Sequence, residues 1–114
     1  DHSVPQNMVL SGEIKEKDIR NHSDRNRLLR VMGTDWDSPK YELSDYIDKN
    51  NKKKQSFLLC TDGFWELIVE KDMCKLLKKS NDCNSWVKSM QSIVIENGIG
   101  KNMDNYSAIA VTLS

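Results

Sequence analysis

Two short acidic turns carry the chemistry available to this chain. The first lies in Phe57-Leu58-Leu59-Cys60-Thr61-Asp62-Gly63-Phe64-Trp65-Glu66, where an apolar run ends in Thr-Asp-Gly. The second is Met103-Asp104-Asn105-Tyr106-Ser107, placed directly before the apolar run Ala108 to Val111. A short apolar run bounded by a turn signal predicts a strand covered on both faces. Asp62 therefore ends one such strand and Asp104 precedes the other. If the two strands pair antiparallel, both carboxylates emerge at the same edge, within reach of one ion. Two carboxylates with positions left for water suit a hard cation, Mg²⁺ or Mn²⁺. No His lies near either acid in sequence, and Cys60, two residues before Asp62, falls inside the apolar run, which disfavours zinc. Asp-Gly is also a common turn dipeptide, and that plainer reading stands beside the first. On either reading Gly63 allows a sharp turn that a Cβ would obstruct.

The elements that must hold these turns follow from periodicity. From Val69 to Lys79, Met73, Leu76 and Leu77 fall at i, i+3 and i+4, with lysines in the last turn, where the helix dipole favours them. From Ser85 to Asn97, Trp86, Val87, Met90, Ile93 and Val94 form a wider stripe. Asn84 is the expected start of that helix, and Asn97-Gly98 its stop. Both stripes read as core faces. The final strand is expected from Tyr106 to Leu113. Upstream, Tyr41, Leu43 and Ile47 alternate with polar residues, as in a half-exposed strand. Asp48 to Lys54 reads as the turn leading into the central strand. Its lysines suit a solvated hairpin tip rather than a nucleic-acid patch, because no aromatics interleave with them.

The first third is polar, with short helical patches. Asn7 to Leu10 suits one turn ending near Gly12, and Lys15 to Asn21 a charged surface helix. Leu28, Leu29, Val31 and Met32 follow Arg25, Arg27 and Arg30, and Gly33 breaks that pattern. The arginines suit either a solvated surface or contact with a phosphate or acidic peptide. Residues 34–39 read as loop, with Trp36 as a partly buried anchor.

Composition narrows the class. The chain has 114 residues, 38% of them apolar, which suits one folded domain or part of one. Lys+Arg and Asp+Glu number 17 each, so no global field draws the chain to nucleic acid or an anionic membrane. No apolar stretch approaches the roughly 18 residues that span a bilayer. Cys60, Cys74 and Cys83 are odd in number and lack a C-x-x-C pair, which supports neither a disulfide framework nor a zinc site. Cys60 reads as a small core residue. Reduced thiols and no signal peptide fit a cytoplasmic setting. The opening Asp1-His2-Ser3 reads as a cut through a longer protein.

The two acidic turns resemble the two C-terminal motifs of the metal-dependent, type-2C protein serine/threonine phosphatases. The opening Asp1-His2-Ser3 and the stretch from Ser11 to Gly33 resemble the corresponding segment of their bacterial form. The resemblance covers nearly the whole chain but only about the C-terminal half of the family's domain. It implies an α+β fold: part of an α-β-β-α sandwich, antiparallel sheets with helices on the outer faces, truncated at the N-terminus. Residues 1–114 would be the C-terminal portion of one domain, with about 8–33 flap-like and 40–114 sheet and helix.

By the same resemblance Asp62 and Asp104 would bind one of two Mn²⁺ or Mg²⁺ ions, Asn105 would orient Asp104, and Gly63 would shape its turn. Arg25, Asn26 and Arg30 would belong to the flap, which influences substrate choice, so Arg25 and Arg30 become candidate substrate contacts. His2 falls in a motif read as structural. The remaining ligands, the phosphate-binding Arg and the general acid would lie in the N-terminal half. The implied reaction is direct hydrolysis of phosphoserine and phosphothreonine in proteins by a metal-activated water, without a phosphoenzyme. The partner would be a phosphorylated protein, such as a Ser/Thr kinase substrate. The alternative is a non-catalytic phosphoprotein-binding or regulatory domain on the same fold. By itself the chain is expected to be inactive and prone to self-association, because a half-sandwich leaves an apolar face and sheet edges uncovered.

Overall fold

A computed structural model of the chain describes residues 2–35, 37–38, 41–46 and 54–113. It divides into two units, Asp1–Tyr46 and Ile47–Ser114.

In the second unit the apolar runs form two strands, β1 (Gln55–Cys60) and β2 (Ala108–Leu113), paired antiparallel from Gln55↔Leu113 to Cys60↔Ala108. Between them come three helices, α2 (Asp62–Trp65), α3 (Glu70–Lys79) and α4 (Cys83–Gly98). The stripes of α3 and α4 pack inward as their spacing predicts. Trp86, Met90 and Val94 lie on one face of α4 and, with Phe64 and Ile68, form the buried core. Met73, Leu76 and Leu77 of α3 pack against it, as do Leu58, Cys60, Ala108 and Ala110 of the sheet. The indole N–H of Trp86 donates to the Met73 carbonyl at 2.9 Å, tying α4 to α3. The result is an α+β arrangement with helices on one face of an antiparallel pair.

The opposite sheet face departs from the expectation of double burial. Leu59 is 64% exposed and its partner Ile109 65%, with Val111 and Leu113 beside them also open. Exposure alternates strictly along β2. Successive side chains of a strand point to opposite faces, and among the described residues of this unit only the face toward α3 and α4 has helices against it. The apolar outward residues are what made the runs look continuous.

Local boundaries also move for identifiable reasons. Asp62-Gly63 opens α2 instead of forming a free turn. Asp82, not Asn84, caps α4, its carboxylate accepting the Ser85 N–H at 2.7 Å. An ionised acceptor two residues earlier extends the helix backward. The helix also runs through Asn97-Gly98, and the left-handed residue that follows it is Gly100, at φ 75°. The last strand starts at Ala108, two residues after Tyr106.

In the first unit α1 spans Val4–Leu10, longer than the turn expected from Asn7. Ser3 is buried and its hydroxyl accepts the Gln6 N–H, while Pro5 sits in the first turn, where a missing N–H costs nothing. The charged stretch becomes a 3₁₀ helix, Glu16–Asn21. Leu28 makes an isolated bridge and Leu29 lies in a bend. Ser3 bridges Leu28, Leu29 N–H donates to His2 O at 2.7 Å, and Val4 N–H to Arg27 O at 2.9 Å. His2 and Ser3 thus contribute backbone pairing and a helix cap. Tyr41–Tyr46 forms no strand: Tyr41, Leu43 and Tyr46 are exposed, and among the described residues no neighbouring strand offers a ladder. Trp36, Pro39, Ile47 and the 48–53 part of the expected turn lie outside the described residues.

Candidate functional site

The β1–β2 ladder ends at Cys60↔Ala108, and the next residues continue the pairing without being strand. Thr61 N–H donates to Ser107 O at 3.0 Å, and Ser107 N–H donates to the Thr61 hydroxyl, also at 3.0 Å. This clasp holds the Thr-Asp-Gly segment beside the segment that follows Asp104. Thr61 is the residue before α2, a position where hydroxyl side chains usually bond their own helix. Here the hydroxyl bonds across the strands instead.

Beyond the clasp the two turns touch through backbone. A Cβ on Gly63 would run into the Asn105 carbonyl oxygen, and would sit 3.1 Å from the Asn105 carbonyl carbon and 3.2 Å from the Asp104 oxygen. Gly63 has no positive φ, so its value here is absence of bulk and not conformational freedom. The aromatic residues two places after each acid also meet: the Phe64 and Tyr106 rings are 6.4 Å apart and tilted by 47°. Such an offset pair adds a further attraction between the segments.

Each acid is oriented by its own neighbour. Gly63 N–H donates to Asp62 Oδ1 at 2.9 Å, and Asn105 N–H donates to Asp104 Oδ1 at 2.8 Å. The Asn105 contact to Asp104 comes from its main chain. Asp62 is half-buried and Asp104 exposed. The structure thus brings Asp62, Gly63, Asp104 and Asn105 to one edge of the sheet.

The donor set fits a hard divalent cation, which takes carboxylate oxygens and completes its shell with water. Among the described residues no group of three or more His, Cys, Asp or Glu is placed to hold a metal.

Arg25 and Arg30 belong to the other unit. Arg30 is held by Glu42 at 2.9 Å, an exposed ion pair of small energetic worth. Three contacts in the site have little or no signature in the sequence: the Thr61 clasp, the Phe64–Tyr106 pair and the seating of Met103 on Gly98 described below. For the aromatic pair, the common offset of two residues from each acid was the available signal.

No protein-family model matches the chain. It is 32% identical over 78 residues to proteins named serine/threonine phosphatase stp from Listeria monocytogenes serotype 4b and Listeria innocua serovar 6a. That match takes in 68% of this chain and 29% of each relative, so it spans under a third of their length. A crystal structure of a bacterial serine phosphatase superposes on all of this chain and 43% of its own, with a TM-score of 0.74 and 26% identity. A point-mutant bacterial serine phosphatase shares the fold over 98% of this chain and 42% of its own, at a TM-score of 0.69 and 23% identity.

Proposed function

Since the chain belongs to the bacterial type-2C protein serine/threonine phosphatases, as a C-terminal part of their domain, we propose that the complete protein hydrolyses phosphoserine and phosphothreonine in proteins. The observation that supports this reading is the docking of Gly63 on the Asp104–Asn105 backbone, which brings the two acidic turns together. A purely apolar or purely phosphate-binding surface has no use for paired acids, because they repel an anionic ligand unless a cation lies between.

Asp62 and Asp104 are the residues that would hold Mn²⁺ or Mg²⁺, and Gly63 and Asn105 keep their carboxylates turned by donating main-chain N–H groups. When bound, such ions supply a water acidified enough to act as hydroxide near neutral pH. Neither acid is the nucleophile. Their part is to supply negative charge at a fixed position and to keep that position as substrate arrives. The rest of the metal site and the general acid come from the remainder of the domain. This chain alone is accordingly inactive, and its open face of Leu59, Ile109, Val111 and Leu113 makes it self-associate. Arg25 and Arg30 are substrate contacts on this reading, with Arg30 leaving Glu42 for a phosphate. Among the described residues no helix is long and apolar enough to cross a membrane. A cytoplasmic setting, with Ser/Thr kinase substrates as partners, is part of the proposed reading.

The test is phosphate release from a phosphothreonine peptide by the complete protein with Mn²⁺ supplied. Release that disappears in Asp62→Asn and Asp104→Asn is the expected result. Peptide binding without release would instead mark the non-catalytic, phosphoprotein-binding alternative.

A further inference from the structure

The residue immediately before Asp104 has a seat of its own. The end of α4 carries Gly98, which is buried, and the side chain of Met103 lies directly over it. A Cβ at position 98 would coincide with the Met103 thioether: it would meet the sulfur, and would come within 2.7 Å of both flanking carbons. Met103 also packs against the core cluster of Phe64, Ile68, Trp86, Met90 and Val94. The loop between folds back tightly to allow this. Lys101 N–H donates to Gly98 O at 3.0 Å, Met103 N–H donates to Lys101 O at 3.0 Å, and Gly100 takes φ 75°.

We infer that Met103 and Gly98 are positioning residues, a side-chain-in-socket latch that sets where Asp104 stands relative to Asp62. The inference rests on the proposed metal reading of those two acids. The physical argument is one of leverage. Asp104 is exposed, and its carboxylate accepts the next residue's N–H, which moves with it. Its placement against the rest of the unit comes from its two sides. Downstream, Asn105 lies against Gly63 and Ser107 is clasped to Thr61. Upstream, the nearest anchor is Met103 in its socket. Methionine is unbranched and fills an irregular gap well, while a socket made by glycine leaves no room for relaxation on the helix side. A Cβ at 98 forces the thioether out of its seat, which removes Met103 as the upstream anchor of Asp104.

The experiment is Mn²⁺ affinity of the complete protein, read by electron paramagnetic resonance of free Mn²⁺, in a four-way cycle of wild type, Gly98→Ala, Met103→Ala and the double variant. Gly98→Ala is expected to weaken Mn²⁺ by about tenfold, as changes that misorient metal ligands do. In the double variant the Cβ occupies room vacated by the thioether, so affinity matches Met103→Ala alone. An equal penalty for Gly98→Ala in both backgrounds, or none in either, overturns the latch. Should Gly98→Ala not fold, Met103→Ala carries the test: weakened Mn²⁺ binding with helix content retained supports the latch, and unchanged affinity overturns it. Asp104→Asn separates the levels. If it weakens Mn²⁺ while Gly98→Ala does not, only the latch fails. If Asp104→Asn binds Mn²⁺ as wild type does, the site fails and the latch with it.

Discussion

Gly63→Ala sets two physical effects against each other, and the sign of the outcome decides between them. Alanine in place of glycine within a helix gains up to about 1 kcal/mol from propensity alone. Gly63 lies in the four-residue α2 and has no positive φ, so nothing in its own backbone forbids that gain. Against it stands the added methyl, which would press on the Asn105 carbonyl and lie 3.2 Å from the Asp104 oxygen. Those are main-chain atoms on a segment clasped by Thr61, so they cannot swing aside as a side-chain tip would. Overpacking of this kind costs about 1–3 kcal/mol. A clash with main-chain atoms belongs in the upper half of that range, so the net expectation is destabilisation of about 1–3 kcal/mol, a fall in Tm of about 4–24 °C at the usual slope for a small unit. Thermal melts followed by far-UV circular dichroism measure it. Because the displaced atoms belong to Asp104 and Asn105, Mn²⁺ affinity should fall with stability. A variant with unchanged or raised Tm would show that the two acidic turns do not bear on each other as described.

Three further expectations follow from single contacts. Thr61→Val removes the acceptor of the Ser107 N–H and should cost about 0.5–1.5 kcal/mol in urea unfolding, while Thr61→Ser retains stability; equal losses in both would remove the clasp. Hydrogen bonds from Ser85 hold the Asp82 carboxyl below its usual range, so the folded state binds that proton later than the unfolded one. Stability from Asp82 is therefore present above about pH 4 and lost as pH falls through the lowered folded value. Asp82→Asn, which still caps the helix, should flatten that acid-side loss in melts taken across pH, and an unchanged acid limb would contradict it. Burial raises the Cys60 thiol, whereas Cys74 is exposed. Mass-resolved alkylation at pH 8 should label Cys74 before Cys60, and the reverse order would mean that the inner sheet face is open.

Much of the second unit was legible because its signals are periodic. The 3.6-residue stripes of α3 and α4 name their own buried faces, and two apolar runs ending beside acids announce paired strands. Continuous apolarity misled about depth: Leu59 and Ile109 look like core in sequence, yet burial depends on what lies across the sheet. Helix ends were missed where two capping residues compete, as Asp82 and Asn84 do, since only geometry decides which reaches a free N–H. The strand expected at Tyr41–Ile47 failed, over its described part, for want of a neighbour, which alternation cannot supply. In the site, the acids were visible as residue types, but the contacts that hold them are between residues far apart in sequence. Gly98 reads as a helix stop until Met103 is found over it. Thr61 gives no sign of a partner until Ser107 is found opposite.

The most direct measurement is calorimetric Mn²⁺ titration of the complete protein as wild type, Asp62→Asn, Asp104→Asn and the double variant. If both carboxylates serve one ion, each single change weakens binding, and the double variant loses much less than the product of the two single losses. Losses that multiply independently, or an affinity untouched by either change, would mean that the two acids do not share a cation.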